Sequence, residues 1–160
     1  MAKIERKYLA HFINAAKPGE DAEYVRLGAD LEEYSVEMSA QVDTKKNILG
    51  ESSILISSYE KTANVEPYYA DKGTPLFERL QDIIDNNLVL DDLKTEVIDV
   101  KMWETATGST SYSATKEEAF IEVTSYGGDT TGYQIPFTLH YTGARTKGTF
   151  DVSTKKFTAG

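Results

Sequence analysis

Cysteine is absent from this 160-residue chain, which rules out disulfides, thiolate metal sites and a cysteine nucleophile together. Histidine is nearly absent as well. His11 and His140 lie in unrelated contexts and form no HxH or HxxxH pair, so they read as surface or core polar residues rather than proton carriers. No GxSxG elbow and no glycine-rich phosphate loop of the GxGxxG or Walker type occurs. Long hydrophobic runs are missing too, so no segment is expected to span a membrane, and the start MAKIERKYLAHF lacks the continuous apolar stretch of a secretory signal. Positive charge is the last deficit. Seventeen basic against 26 acidic side chains leave a net charge of −9, which speaks against a surface built to grip nucleic-acid phosphates.

What remains is mostly β pattern around one helix. In TPLFERLQDIIDNNLVL, Thr74 to Leu90, the residues Leu76, Phe77, Leu80, Ile83, Ile84 and Leu88 form one stripe at helical period. Thr74 is the expected N-cap and Pro75 fits the first helical position. Glu78, Arg79, Gln81, Asp82, Asp85 and Asn86 fall on the opposite side, where they are expected to face water. The spacing predicts a helix over about 74–88 lying against a β body in a single domain spanning residues 1–160.

Ahead of the helix, Ile4 to Ile13 reads as an arm, a strand or a short helix, and Lys17–Glu20 as a turn opening an acidic stretch to Glu37. Tyr24, Val25 and Leu27 suggest a short strand. From Tyr34 to Asp43 the alternation is the cleanest in the chain, with Tyr34, Val36, Met38, Ala40 and Val42 expected to be buried. Ser35, Glu37, Ser39, Gln41 and Asp43 are expected to be wet. A turn over Asp43–Asn47, extendable to Gly50, leads to a strand Ser52–Tyr59, whose consecutive Ile54, Leu55 and Ile56 predict cover on both faces. Glu60–Gly73 has no period, and a long loop of that kind points to function or disorder.

Beyond the helix, Asp91-Asp92 mark a turn and Lys94–Glu104 a strand. Thr105–Thr110 reads as a small polar linker, and Ala119–Tyr126 as β. Tyr133–Thr142 is expected to be a long strand with an edge or bulge at Pro136, Gly143 and Gly148 to bracket a turn, and 147–152 with 156–158 to close as a hairpin. The count is six to eight strands and one helix. Asp82 with Asp85 and Asp91 with Asp92 read better as solvated acidic faces than as a cation site, and none follows the calcium-loop spacing. Tyr59, Tyr68 and Tyr69 suit core filling and interface anchoring equally. No catalytic residue, metal or cofactor is indicated.

This succession resembles the tail-tube (major tail) proteins of long-tailed bacteriophages over nearly the whole chain. The succession is an arm (about 1–20), a strand around Glu33–Val42, a strand Ser52–Tyr59, a long loop (about 60–73) running into TPLFERL, and strands to the C-terminus. GESSILISSYEKTANVEPYYADKGTPLFERLQDII is its most family-like part. The resemblance implies a mainly β (α+β) fold, a two-sheet β-sandwich or partial barrel with one flanking helix. It also implies hexameric rings that stack into a tube conducting DNA during ejection without binding it specifically. The implied partners are further copies and other tail proteins, and the implied places are the virion tail and, during assembly, the host cytoplasm. On that footing Glu37, Ser39, Gln41 and Asp43 are the candidate lumen face, and Val65, Pro67, Tyr68 and Tyr69 the candidate inter-subunit loop. A tail terminator or tube initiator of the same fold, or a β-sandwich carbohydrate- or receptor-binding module, are the alternatives.

Overall fold

A computed structural model describes residues 2–28, 31, 33–104 and 110–160. Most of the predicted Thr105–Thr110 linker, and Asp30 and Glu32 of the acidic stretch, lie outside them. Twelve strands and one α-helix are formed among the described residues. The fold is mainly β, as expected, and its body is a curled antiparallel half-barrel of eight strands.

The sheet runs β2 (Tyr24–Leu27), β1 (Leu9–Asn14), β7 (Lys94–Lys101), β8 (Ser111–Val123), β11 (Phe137–Asp151), β6 (Thr62–Val65) and β3 (Val36–Glu37). β12 (Lys156–Ala159) borders the last part of β11 on the side where β6 borders its first part. Two small hairpins stand apart from this sheet, β4 (Ala40–Lys46) with β5 (Ser52–Tyr59), and β9 (Gly127–Asp129) with β10 (Gly132–Gln134).

Helix α1 (Pro75–Asn86) covers one face of the sheet. Its Leu76, Leu80 and Ile83 join Ile13, Val97, Ala119, Ile121 and Leu139 in the larger core, as the stripe requires. Asn87 ends the helix in the left-handed conformation, and the Leu88 N–H returns to the Ile83 carbonyl, a terminus that asparagine tolerates well. Thr74 holds the N-cap position, but its hydroxyl donates to the Asp71 carbonyl instead of capping the helix. On the other sheet face, Phe12, Tyr24, Ile98, Val100 and Phe150 form a second core, with the Phe12 and Phe150 rings 4.6 Å apart. β7 is therefore buried on both faces.

Several expectations are corrected. Residues 9–14 are an inner strand, so the arm ends before Leu9. The Tyr34–Asp43 strand is broken at Ser39, which takes a left-handed φ of 41°, and a register shift follows at Gln41/Val42. Of its predicted buried face only Tyr34 is buried, while Met38, Ala40 and Val42 are exposed. The turn lies at Asn47–Glu51 rather than Asp43–Asn47, since β4 runs on to Lys46. Four residues of the supposed loop 60–73, Thr62–Val65, are a strand, β6, which the central β11 recruits by pairing. β11 passes unbroken through Gly143 to Gly148, with a register shift between Tyr141 and Arg145 in place of a turn. At Gly148 a side chain would strike the Thr158 carbonyl and the Phe157 ring, so close pairing with β12 requires glycine there.

Arg79 is the helix residue the periodicity misplaced. It is 3% exposed, and its guanidinium donates to the carbonyls of Ala16 at 2.5 Å, Lys94 at 2.6 Å and Asp92 at 3.3 Å. A planar donor fork thus binds three carbonyls, one in the connection after β1 and two at the entry into β7. It pins α1 to the sheet, and burial of the group lowers its pKa.

Candidate inter-subunit surfaces

The β4–β5 hairpin contains no buried or half-buried residue. Its turn is locally determined: Asn47 Oδ1 accepts from the Leu49 and Glu51 amides at 2.9 and 3.0 Å, and Gly50 supplies a φ of 80°. Ile48 and Leu49 are thereby carried at the apex, in water. Cross-strand pairs Val42–Ile56 and Thr44–Ile54 place β-branched side chains together on one face, while Asp43 and Leu55 pair on the other. Ile54, Leu55 and Ile56 are 68, 50 and 55% exposed. The expected two-sided cover is not supplied by the described residues of this chain.

A two-stranded hairpin alone is marginal in water, and a contiguous exposed apolar array of this kind marks an interaction surface. The hairpin reaches outward by roughly 20 Å at about 3.4 Å per residue. The sheet adds unfinished borders, since β2 at one end and β3 and β12 at the other have no outer partner among the described residues.

The candidate lumen residues Glu37, Ser39, Gln41 and Asp43 are all exposed but do not share a surface. Glu37 belongs to the main sheet, Ser39 to the kink, and Gln41 and Asp43 to the hairpin on either side of its irregularity. The structure instead gathers Glu33, Ser35 and Glu37 with Thr62, Asn64 and Glu66 around a groove of about 260 Å3. Pairing of β3 with β6 brings these together, a long-range event that alternation within one strand does not reveal.

The candidate loop residues are packed within the chain. Val65 is fully buried in β6, which corrects its placement in an inter-subunit loop. Tyr68 stands edge-on to Phe137 at 5.8 Å. The backbone of Tyr68 accepts from Ile135 at 2.9 Å, Tyr69 bridges to Gln134, and Pro67 is half-buried. This segment anchors α1 to the body, and among the four only partial surfaces of Pro67, Tyr68 and Tyr69 remain for a neighbour.

Most polar groups inside the body are paired with one another. His11 Nδ1 contacts Asp99 Oδ1 at 2.6 Å and Nε2 contacts Arg6 at 2.7 Å. Because arginine only donates, Nε2 accepts and Nδ1 donates to Asp99. The other histidine, His140, contacts Glu122 on the surface at 2.7 Å. Lys61 and Glu117 form a buried pair at 2.5 Å, with Arg145 Nε 3.5 Å from the same oxygen, and among the described residues Glu117 Oε2 has no hydrogen-bond partner. Nearby, the Tyr34 and Tyr141 hydroxyls meet at 3.1 Å. Burial raises the pKa of both, and burial with the Glu96 charge pushes Tyr24 up to about 12. Among the described residues there is no metal-binding cluster, and no helix is long and apolar enough to cross a membrane.

No protein-family model matches this chain, and no curated protein matches it in sequence.

Proposed function

We propose that the chain is a tail-tube subunit of a long-tailed bacteriophage, six copies closing into a ring and rings stacking into a conduit for DNA. The observation that carries this reading is the β4–β5 hairpin, an outward arm whose apolar residues its own chain leaves in water. Burial of apolar area stabilises by about 25 cal/mol per Å2, so covering this arm with neighbouring copies supplies a driving force for assembly. The open borders at β2 and β12 are where strands of adjacent copies would continue the curled sheet, removing its edges.

For the lumen wall we take the groove that holds Glu33, Glu37 and Glu66, replacing the single-strand face of Glu37, Ser39, Gln41 and Asp43. Carboxylates on that wall repel phosphate and let a duplex pass without sticking.

The test is negative-stain imaging of concentrated protein beside size-exclusion chromatography over a concentration series. Hollow fibres or stacked rings are the expected result. Single rings that never stack would point to a terminator or initiator of the tube. A particle that stays monomeric even when seeded with fragments of a phage tail would defeat the assembly reading.

A further inference from the structure

Exposed apolar residues also gather away from the hairpin, at the C-terminal end of α1, where Val89, Leu90 and Tyr126 are in solvent. There Ile83, Ile84, Leu88, Val89, Leu93 and Val123 line a cleft of about 480 Å3, and Val89 and the next residue, Leu90, are exposed. Leu90 takes a left-handed φ of 56°, an uncommon state for a bulky residue, and its side chain is left in solvent. The surroundings are acidic. Asp85, Asp91 and Asp92 flank the cleft residues in sequence and Glu122 lines it, while the last turn of α1 carries no basic residue. The helix's own last turn thus offers the negative end of its dipole no cation.

The hairpin tip has the complementary composition. Ile48 and Leu49 stand at its apex, with Lys45 and Lys46 just before them and Glu51 alone after. Resting on the reading of an assembling subunit, we infer that the tip of one copy docks into the α1 cleft of a second copy. Ile48 and Leu49 fill the cleft, and Lys45 and Lys46 face Asp85, Asp91 and Asp92. The two surfaces differ, so the contact is heterologous and propagates into rings or open stacks instead of stopping at a dimer. Within one chain both halves remain exposed, which is what a subunit awaiting a like neighbour requires.

A chain free of cysteine makes the test direct. Leu49→Cys and Val89→Cys are introduced singly into two preparations, which are mixed and oxidised, with Thr154→Cys in the β11–β12 turn as the distant control. The expected result is a disulfide between the Leu49→Cys and Val89→Cys chains and none from Thr154→Cys. Lys45→Glu with Lys46→Glu should raise the concentration needed for assembly by about tenfold, as reversal of facing charges does. Asp91→Lys with Asp92→Lys in the same chain should bring it back. Tubes seen by microscopy without the Leu49–Val89 link would overturn the docking site and leave the tube reading standing. A link to the Thr154 control of equal yield would also overturn the site, and a chain that neither links nor assembles would defeat both.

Discussion

Two antiparallel pairs in this molecule carry similar residues and meet opposite fates. In β7–β8 the run Val97-Ile98 is enclosed, one residue against α1's core and the other against Phe12 and Phe150. In β4–β5 the run Ile54-Leu55-Ile56 stands in solvent. Consecutive aliphatic residues state a need for cover on both faces of a strand, but not which chain provides it. The first pair obtains cover from its own helix and long neighbouring strands, and the second projects past all of them.

The sharpest way to break this comparison is to truncate one residue in each region. Phe150→Ala removes a fully buried ring of the second core and should cost about 3–5 kcal/mol of subunit stability. Ile56→Ala should change the isolated subunit by no more than about 0.5 kcal/mol, as an exposed site does, yet weaken assembly. Urea denaturation of the monomer and light scattering of the assembling protein measure the two. A comparable loss of monomer stability in both variants would mean that the hairpin folds back onto its own body.

The buried Lys61–Glu117 pair tests the interior by charge. Lys61→Met leaves Glu117 enclosed beside only the more exposed Arg145, and should cost about 3 kcal/mol, the order seen when one partner of a buried pair is removed. Lys61→Met combined with Glu117→Leu should recover most of that loss, since apolar residues of similar volume replace such pairs with little cost. Denaturant midpoints of the three proteins decide it. A single variant as stable as the parent would show that water reaches the pair.

The same contrast explains what was legible in the residues. α1 announces itself because a helix's partners lie three and four positions away, and β5 keeps its predicted bounds, Ser52–Tyr59, because hairpin pairing is local. β8 begins at Ser111, far ahead of the expected Ala119, because Ser111–Glu118 carries mainly polar residues and becomes strand through pairing with β7 and β11. Nothing local signals that. Arg79 was equally hidden, since its partners are carbonyls of segments that only the fold brings together. For the candidate surfaces, the wet side of Tyr34–Asp43 was legible as wet, but Ser39's positive φ divides it between body and hairpin.

Alkali reaches the body through its tyrosines and gives the smallest of these effects. An unfolded tyrosine loses its proton near pH 10, whereas burial holds Tyr34 and Tyr141 above that value and Tyr24 at about 12. Below pH 10 both states are protonated and the contribution of the buried hydroxyls is fully present. Between pH 10 and 12 the unfolded chain sheds protons that the folded one retains, so stability must fall as pH rises. Urea midpoints measured from pH 8 to 12 should be level and then decline from about pH 10. Tyr34→Phe with Tyr141→Phe removes both partners of one hydrogen bond, leaves neither hydroxyl orphaned, and should make the decline shallower with little change at pH 8. A decline of unchanged steepness would place the alkaline weakness elsewhere, and an abrupt loss at pH 8 would show that the paired hydroxyls matter more to the body than the pH profile alone conveys.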